Sequence, residues 1–230
     1  MSKARRLDQT LASLGFGSRR EVRGLISAGA VKVGDAVVKD EGRKVQAVDV
    51  TVNGEPLEAP DGLLAIFHKP TGYVCTHSDG EGPTIYELLP PRWLLRNPAV
   101  TSVGRLDKDT SGLLLITDRG DLVQKWTSPK SVVEKTYEVT VDKPLSAELT
   151  DVFARGDLLL RGEDKPCLPA VLEMVDDLHS RLTITEGRYH QVRRMFASQG
   201  WHVEKLHRSK FGEHDLGDLA EGKWRVMEIA

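Results

Sequence analysis

Five short runs punctuate the middle of the chain: LLAIFHK (63–69), LLLIT (113–117), KTYEVTV (135–141), AVLEMV (170–175) and RLTIT (181–185). Each has the length and the apolar or alternating pattern of a strand. Helical periodicity falls at 121–127, 146–155 and 188–199. A doubly wound parallel sheet needs a crossover helix between successive strands. Strict alternation is missing here. The spacing therefore predicts an α+β body with a mixed, largely antiparallel sheet.

The first stretch of chain reads differently. Leu7, Leu11 and Leu14 fall at helical spacing, and a Gly-x-Ser break follows. Ser18 with Glu21 forms a capping box, in which each side chain satisfies the other residue's free N–H. Val22, Leu25 and Ile26 make the apolar stripe of that second helix. AVKVGDAVVKD then reads as two short strands around a Gly34-Asp35 turn. Residues 1–50 carry ten Lys/Arg against six Asp/Glu, whereas the remaining 180 carry 22 against 28. A basic end on an acidic body predicts a separate anion-binding module. The Pro-, Gly- and acid-rich stretch 54–62 is the expected linker, which gives two domains, 1–58 and 59–230.

Two cysteines without a CxxC pair exclude a disulfide framework and fit a reducing cytoplasm. The N-terminus lacks the unbroken apolar core of a secretory signal, and no stretch approaches the ~20 apolar residues of a membrane span. We expect a cytoplasmic monomer with no membrane partner. His190, His202 and His207 are irregularly spaced and joined by no acid at ligand spacing, so no metal site is expected.

The most crowded stretch is VGRLDKDTSGLLLITDRG, where Asp107 lies between a Gly-Arg pair and an apolar strand. A surface turn accounts for the crowding, and so does a catalytic carboxylate held by an arginine. On the second helix Arg19, Arg20 and Arg23 lie away from the apolar stripe. With Arg5, Arg6 and Lys32 they form either a solvated face or a phosphate-binding one.

Two resemblances bear on these choices. LDQTLASLGFGSRREVRGLISAGAVKVGDAVV is similar to the S4 RNA-binding module, over roughly residues 5–53. This implies contact with structured RNA through Arg5, Arg6, Arg19, Arg20, Arg23 and Lys32. HKPTGYVCT (68–76), GRLDKDTSGLLLITDRG (104–120), EKTYEVTV (134–141) and ITEGRYHQVRRMF (184–196), in that order, resemble the pseudouridine synthases. The closest likeness is to the RsuA branch, which modifies small-subunit (16S) ribosomal RNA. The resemblance implies that Asp107 is catalytic, that Tyr137 packs on the target base, and that a base of the 188–199 helix pairs with the carboxylate. An inward stripe of Tyr189, Val192, Met195 and Phe196 would put Arg193 at its edge and turn Arg194 towards solvent or RNA. Arg193 is therefore the expected ion-pair partner. Arg105 is placed to hold phosphate or to fill the position that the base vacates.

The implied reaction detaches uridine at N1 and reattaches it at C5. It oxidises nothing and calls for no cofactor or metal. The implied partner is 16S ribosomal RNA or a small-subunit assembly intermediate. The EGRYHQV wording and the absence of a long basic tail favour that target over a 23S site. A non-catalytic ribosome-assembly factor is the alternative from another class. A glycosidase using Asp107 with Asp109 fits poorly, because acids two residues apart in a loop are not opposed.

Overall fold

The computed structural model describes residues 4–78, 80–128 and 130–229. Its main sheet runs Val171–Met174, His179–Ile184, Lys135–Val141, Val203–Phe211, Thr110–Thr117, Leu64–Lys69 and Trp224–Val226. Val203–Phe211 runs parallel to Thr110–Thr117, and the other pairs along this path are antiparallel. The α+β expectation holds.

The position of Thr110–Thr117 in this order explains its composition. Successive side chains of a strand face opposite sides. Leu114 and Ile116 join Phe67, Phe153 and Phe196 in one core, while Leu113 and Leu115 join Ile66, Leu122 and Phe211 in another. A strand covered on both faces must be apolar at every position. The helices Glu148–Ala154 and Gln191–Ser198 cover the first face, and Gly120–Thr127 covers the second. Of the seven strands on this path, Val203–Phe211 and Trp224–Val226 lie outside the runs read from sequence. The first reads VEKLHRSKF, whose interleaved charges hide its period.

The N-terminal region has its own core. Helices Leu7–Ser13 and Arg19–Ser27 pack on a four-stranded sheet through Leu7, Leu11, Val22, Ile26, Val31 and Val50. The Ser18–Glu21 capping box is formed in both directions. The proposed linker is more ordered than its composition implies. Glu55–Pro56 adds an edge strand, where proline costs no ladder bond, and Leu57 is buried in the N-terminal core. Glu58 accepts hydrogen bonds from Trp93 (2.8 Å) and Arg92 (3.3 Å). Gly15, at φ +82°, lies so close to Arg92 that a Cβ would sit 2.2 Å from its carbonyl oxygen. That glycine lets the basic module approach the Pro91–Leu94 helix.

Candidate active site

The site begins with a buried cation. Lys69 ends the Leu64–Lys69 strand and is fully buried. Its ammonium donates to the carbonyls of Pro70 (3.0 Å), Asp107 (3.1 Å) and Thr110 (2.9 Å), with Lys108 at 3.4 Å. The Lys69-Pro70-Thr71-Gly72 turn thus clamps the loop that carries Asp107. Gly72 N–H adds a bond to the Lys108 carbonyl at 2.8 Å. Burial pushes the Lys69 pKa below its usual value, opposed by the negative potential of Cys75, Asp107 and Asp109. From the other side, Ser102 Oγ donates to the Gly104 carbonyl at 2.8 Å, and Gly104 turns the chain at φ +70°.

Held this way, the Asp107 carboxylate stands at the edge of a cleft of about 630 Å³. Arg105, Lys135, Tyr137, Tyr189, His190 and Arg208 also line it. Tyr137 lies inside the sheet, nearly buried, whereas Arg105 is exposed at the mouth. Three sequence-selected residues, Asp107, Arg105 and Tyr137, therefore meet at one cleft, and Arg193 is not among its lining.

The partner of the carboxylate is not the expected one. Asp107 Oδ1 lies 3.3 Å from His190 Nε2. Arg193 instead donates to two backbone carbonyls, of Val203 (2.7 Å) and Asp109 (3.1 Å). It ties the loop that carries Asp107 and Asp109 to the start of the neighbouring strand. The cause is local. His190 takes the left-handed conformation at φ 48°, and the helix starts only at Gln191. The helical phase assumed from 188 onward is broken at that point. Val192, Met195 and Phe196 are buried as expected, but Tyr189 is 70% exposed and stacks on His190 with ring centroids 3.9 Å apart.

Arg194 also departs from expectation. It pairs with Glu163 at 2.7 Å and donates to the Arg161 and Tyr189 carbonyls, because the 156–170 segment packs beside this helix. It is not a free RNA-facing cation. On the basic module Arg6 is paired with Asp8 (3.0 Å) and Arg23 with Glu41 (2.8 Å). Arg5, Arg19, Arg20 and Lys32 are exposed and have no ion-pair partner among the described residues. Those four remain on the surface as available charge. Among the described residues no cluster of His, Cys, Asp or Glu could hold a metal ion.

Sequence reasoning did not assign roles to three residues of this site. Lys69 lies in a motif matched only as a whole, His190 is weighed only as a metal ligand, and Arg208 lies in a strand without legible periodicity.

Comparisons with known proteins give the family of this fold. The family model for RNA pseudouridylate synthases matches residues 64–198, and the S4 domain model matches residues 5–50. A protein of Pasteurella multocida, ribosomal small subunit pseudouridine synthase A, is 44% identical over 96% of this chain and 95% of its own length. The Escherichia coli K12 protein of the same name is 41% identical over 90% and 88%. A crystal structure of a pseudouridylate synthase, 38% identical, superposes with a TM-score of 0.68 over 98% of this chain and 96% of that one. The fold is that of an RNA-modifying isomerase with an attached RNA-binding module. The chain belongs to the RNA pseudouridylate synthase family, with an N-terminal S4 domain.

Proposed function

We propose that this protein converts one uridine of 16S ribosomal RNA to pseudouridine, with Asp107 as the reactive carboxylate. The observation that carries the reading is the meeting of Asp107 and Tyr137 at one cleft, the first on a clamped loop and the second on a rigid strand. The names of the similar proteins support the small-subunit target.

The target base leaves its stack, at a cost of a few kcal/mol, and packs on Tyr137, which returns about 1–3 kcal/mol. Asp107 then acts at the sugar, as nucleophile or base, and the C1′–N1 bond breaks. The base turns, C5 bonds to C1′, the C5 proton leaves and N1 gains one. Arg105 at the mouth contacts the RNA backbone or fills the vacated position. The exposed Arg5, Arg19, Arg20 and Lys32 bind phosphate elsewhere on the same RNA. The protein works in the cytoplasm as a monomer, on free RNA or an assembly intermediate.

Pseudouridine mapping of ribosomal RNA from a deletion strain tests this. One small-subunit site should disappear, return with the wild-type gene, and stay absent with Asp107→Asn. Loss of a 23S site instead, or recovery with Asp107→Asn, would overturn the assignment.

A further inference from the structure

Arg208 occupies the middle of the Val203–Phe211 strand, opposite Gly112 on the parallel side and Tyr137 on the antiparallel side. A register shift between Thr136 and Tyr137 marks this point of the ladder; such shifts re-aim side chains. A Cβ on Gly112 would meet the Arg208 carbonyl oxygen at 2.3 Å. The glycine therefore lets the Arg208 backbone come unusually close to the central strand. Directly paired residues share a sheet face, so the Arg208 side chain lies beside Tyr137 and lines the same cleft.

Arg208 as a whole is buried, at 3% exposure. Nε donates to the Leu113 carbonyl at 2.8 Å, and the Phe211 ring lies 5.1 Å away. Nη2 is buried with no hydrogen-bond partner among the described residues, and no carboxylate pairs with Arg208 among them. Lys135, a second cation of this cleft, has its pKa pushed down first by burial and then by the charge of Arg208. Of the acids lining the cleft, Asp107 faces His190 and Glu186 is bonded to Arg188 and Gln191. An unpaired buried cation is costly to the folded protein, and an unsatisfied buried donor calls for an explanation.

We propose that Arg208 is a catalytic residue that donates through its Nη atoms to a carbonyl oxygen of the uracil and stabilises the charge it acquires on detachment. The inference rests on the isomerase reading above. When the C1′–N1 bond breaks, both electrons stay with the base, and the negative charge spreads over N1 and the two carbonyl oxygens. A guanidinium carried in register with Tyr137 and lining the same cleft is placed for an oxygen of a base packed on that ring. C5 of the anion then supplies the electron pair for the C1′–C5 bond, the C5 proton is lost and N1 is protonated. Atoms and charge balance without any co-reactant. Charge stabilisation of this kind by preformed donors acts in the transition state more than in the bound substrate.

The test uses the full-length enzyme and a small-subunit ribosomal RNA fragment carrying the mapped uridine, or 5-fluorouridine at that position. Fluorine makes the detached base a more stable anion. Loss of the N1-linked nucleoside is followed in nuclease digests under single-turnover, saturating conditions, and RNA binding is measured separately. Arg208→Met should slow the step about 10²–10³-fold with little change in Kd. The deficit should shrink at least about tenfold on the fluorinated RNA, reflecting the eased charge demand. Arg208→Lys, which keeps the charge but not the fork, should show the same pattern at smaller amplitude, and it carries the comparison if the Met variant does not fold. Equal deficits on both RNAs would overturn the proposal. So would weakened binding with an unchanged saturated rate, the signature of a phosphate contact. A wild-type enzyme inactive on the uridine RNA would overturn the isomerase reading itself, and that control separates the two failures.

Discussion

Replacing Lys69 with Met removes the ammonium while keeping nearly the same unbranched shape. Three carbonyls lose a donor within 3.1 Å, those of Pro70, Asp107 and Thr110. Hydrogen bonds from a charged donor are worth about 1.5–3 kcal/mol each. The Thr110 contact is fully buried, so its loss is uncompensated; the other two are partly buried, and water can replace the donor. Relief of the desolvation that lowers the Lys69 pKa returns part of the cost. The net expectation is a loss of about 2–4 kcal/mol of stability. Activity should fall further than stability, because Asp107 sits on the released loop. A shift near 1 Å in a reacting group costs about 10²-fold in rate. Urea unfolding with an unchanged slope gives the first number, and single-turnover pseudouridine formation well below the unfolding midpoint gives the second. The wild type should also gain stability as pH rises towards 10.5, because the unfolded Lys69 binds its proton more tightly than the folded one; the Met variant should lack that slope. A Lys69→Met protein within about 0.5 kcal/mol of wild type, with unaltered turnover, would refute the clamp.

Gly112→Ala should disrupt the parallel strand pair, since its Cβ would meet backbone atoms of Arg208 at 2.3 and 2.5 Å; far-ultraviolet melting would show a lower midpoint, and an unchanged one would contradict the close approach. His207, hydrogen-bonded to Ser111 at 2.9 Å, has its pKa pushed below 6.5, first by burial and against the charge of Glu138. As pH falls through 6.5 the unfolded chain takes up that proton first, so stability should fall with acidification, and His207→Gln should flatten the curve. Combined Arg20→Gln and Lys32→Gln should shallow the log–log salt slope of RNA binding by about 0.7–0.9 for each phosphate no longer neutralised, with the saturated turnover rate unchanged. A slope identical to wild type would remove these residues from the RNA surface.

Much of this protein could be read locally. The Ser18–Glu21 cap, the 135–141 strand, and the Val192, Met195 and Phe196 stripe are all as their periodicity and capping chemistry dictate. Asp107, Arg105 and Tyr137 were found by motif, and the cleft joins them. The partner of Asp107 was not legible, because one residue in the left-handed region, His190, ended the helical phase from which Arg193 had been chosen. Arg194 looked free on a helical wheel that could not show Glu163, 31 residues away in sequence.

Periodicity, caps and turn residues act over a few residues, so the amino-acid order by itself determined most of the elements, the two-part organisation and the family. Tertiary structure alone decided which backbone groups Lys69 would hold 38 and 41 residues away, which strand would bring Arg208 against Gly112, and why that guanidinium has no carboxylate partner among the described residues. Chain separation places almost no constraint on such pairings. They are chosen by sheet order and close packing, and here those two set the chemistry of the cleft.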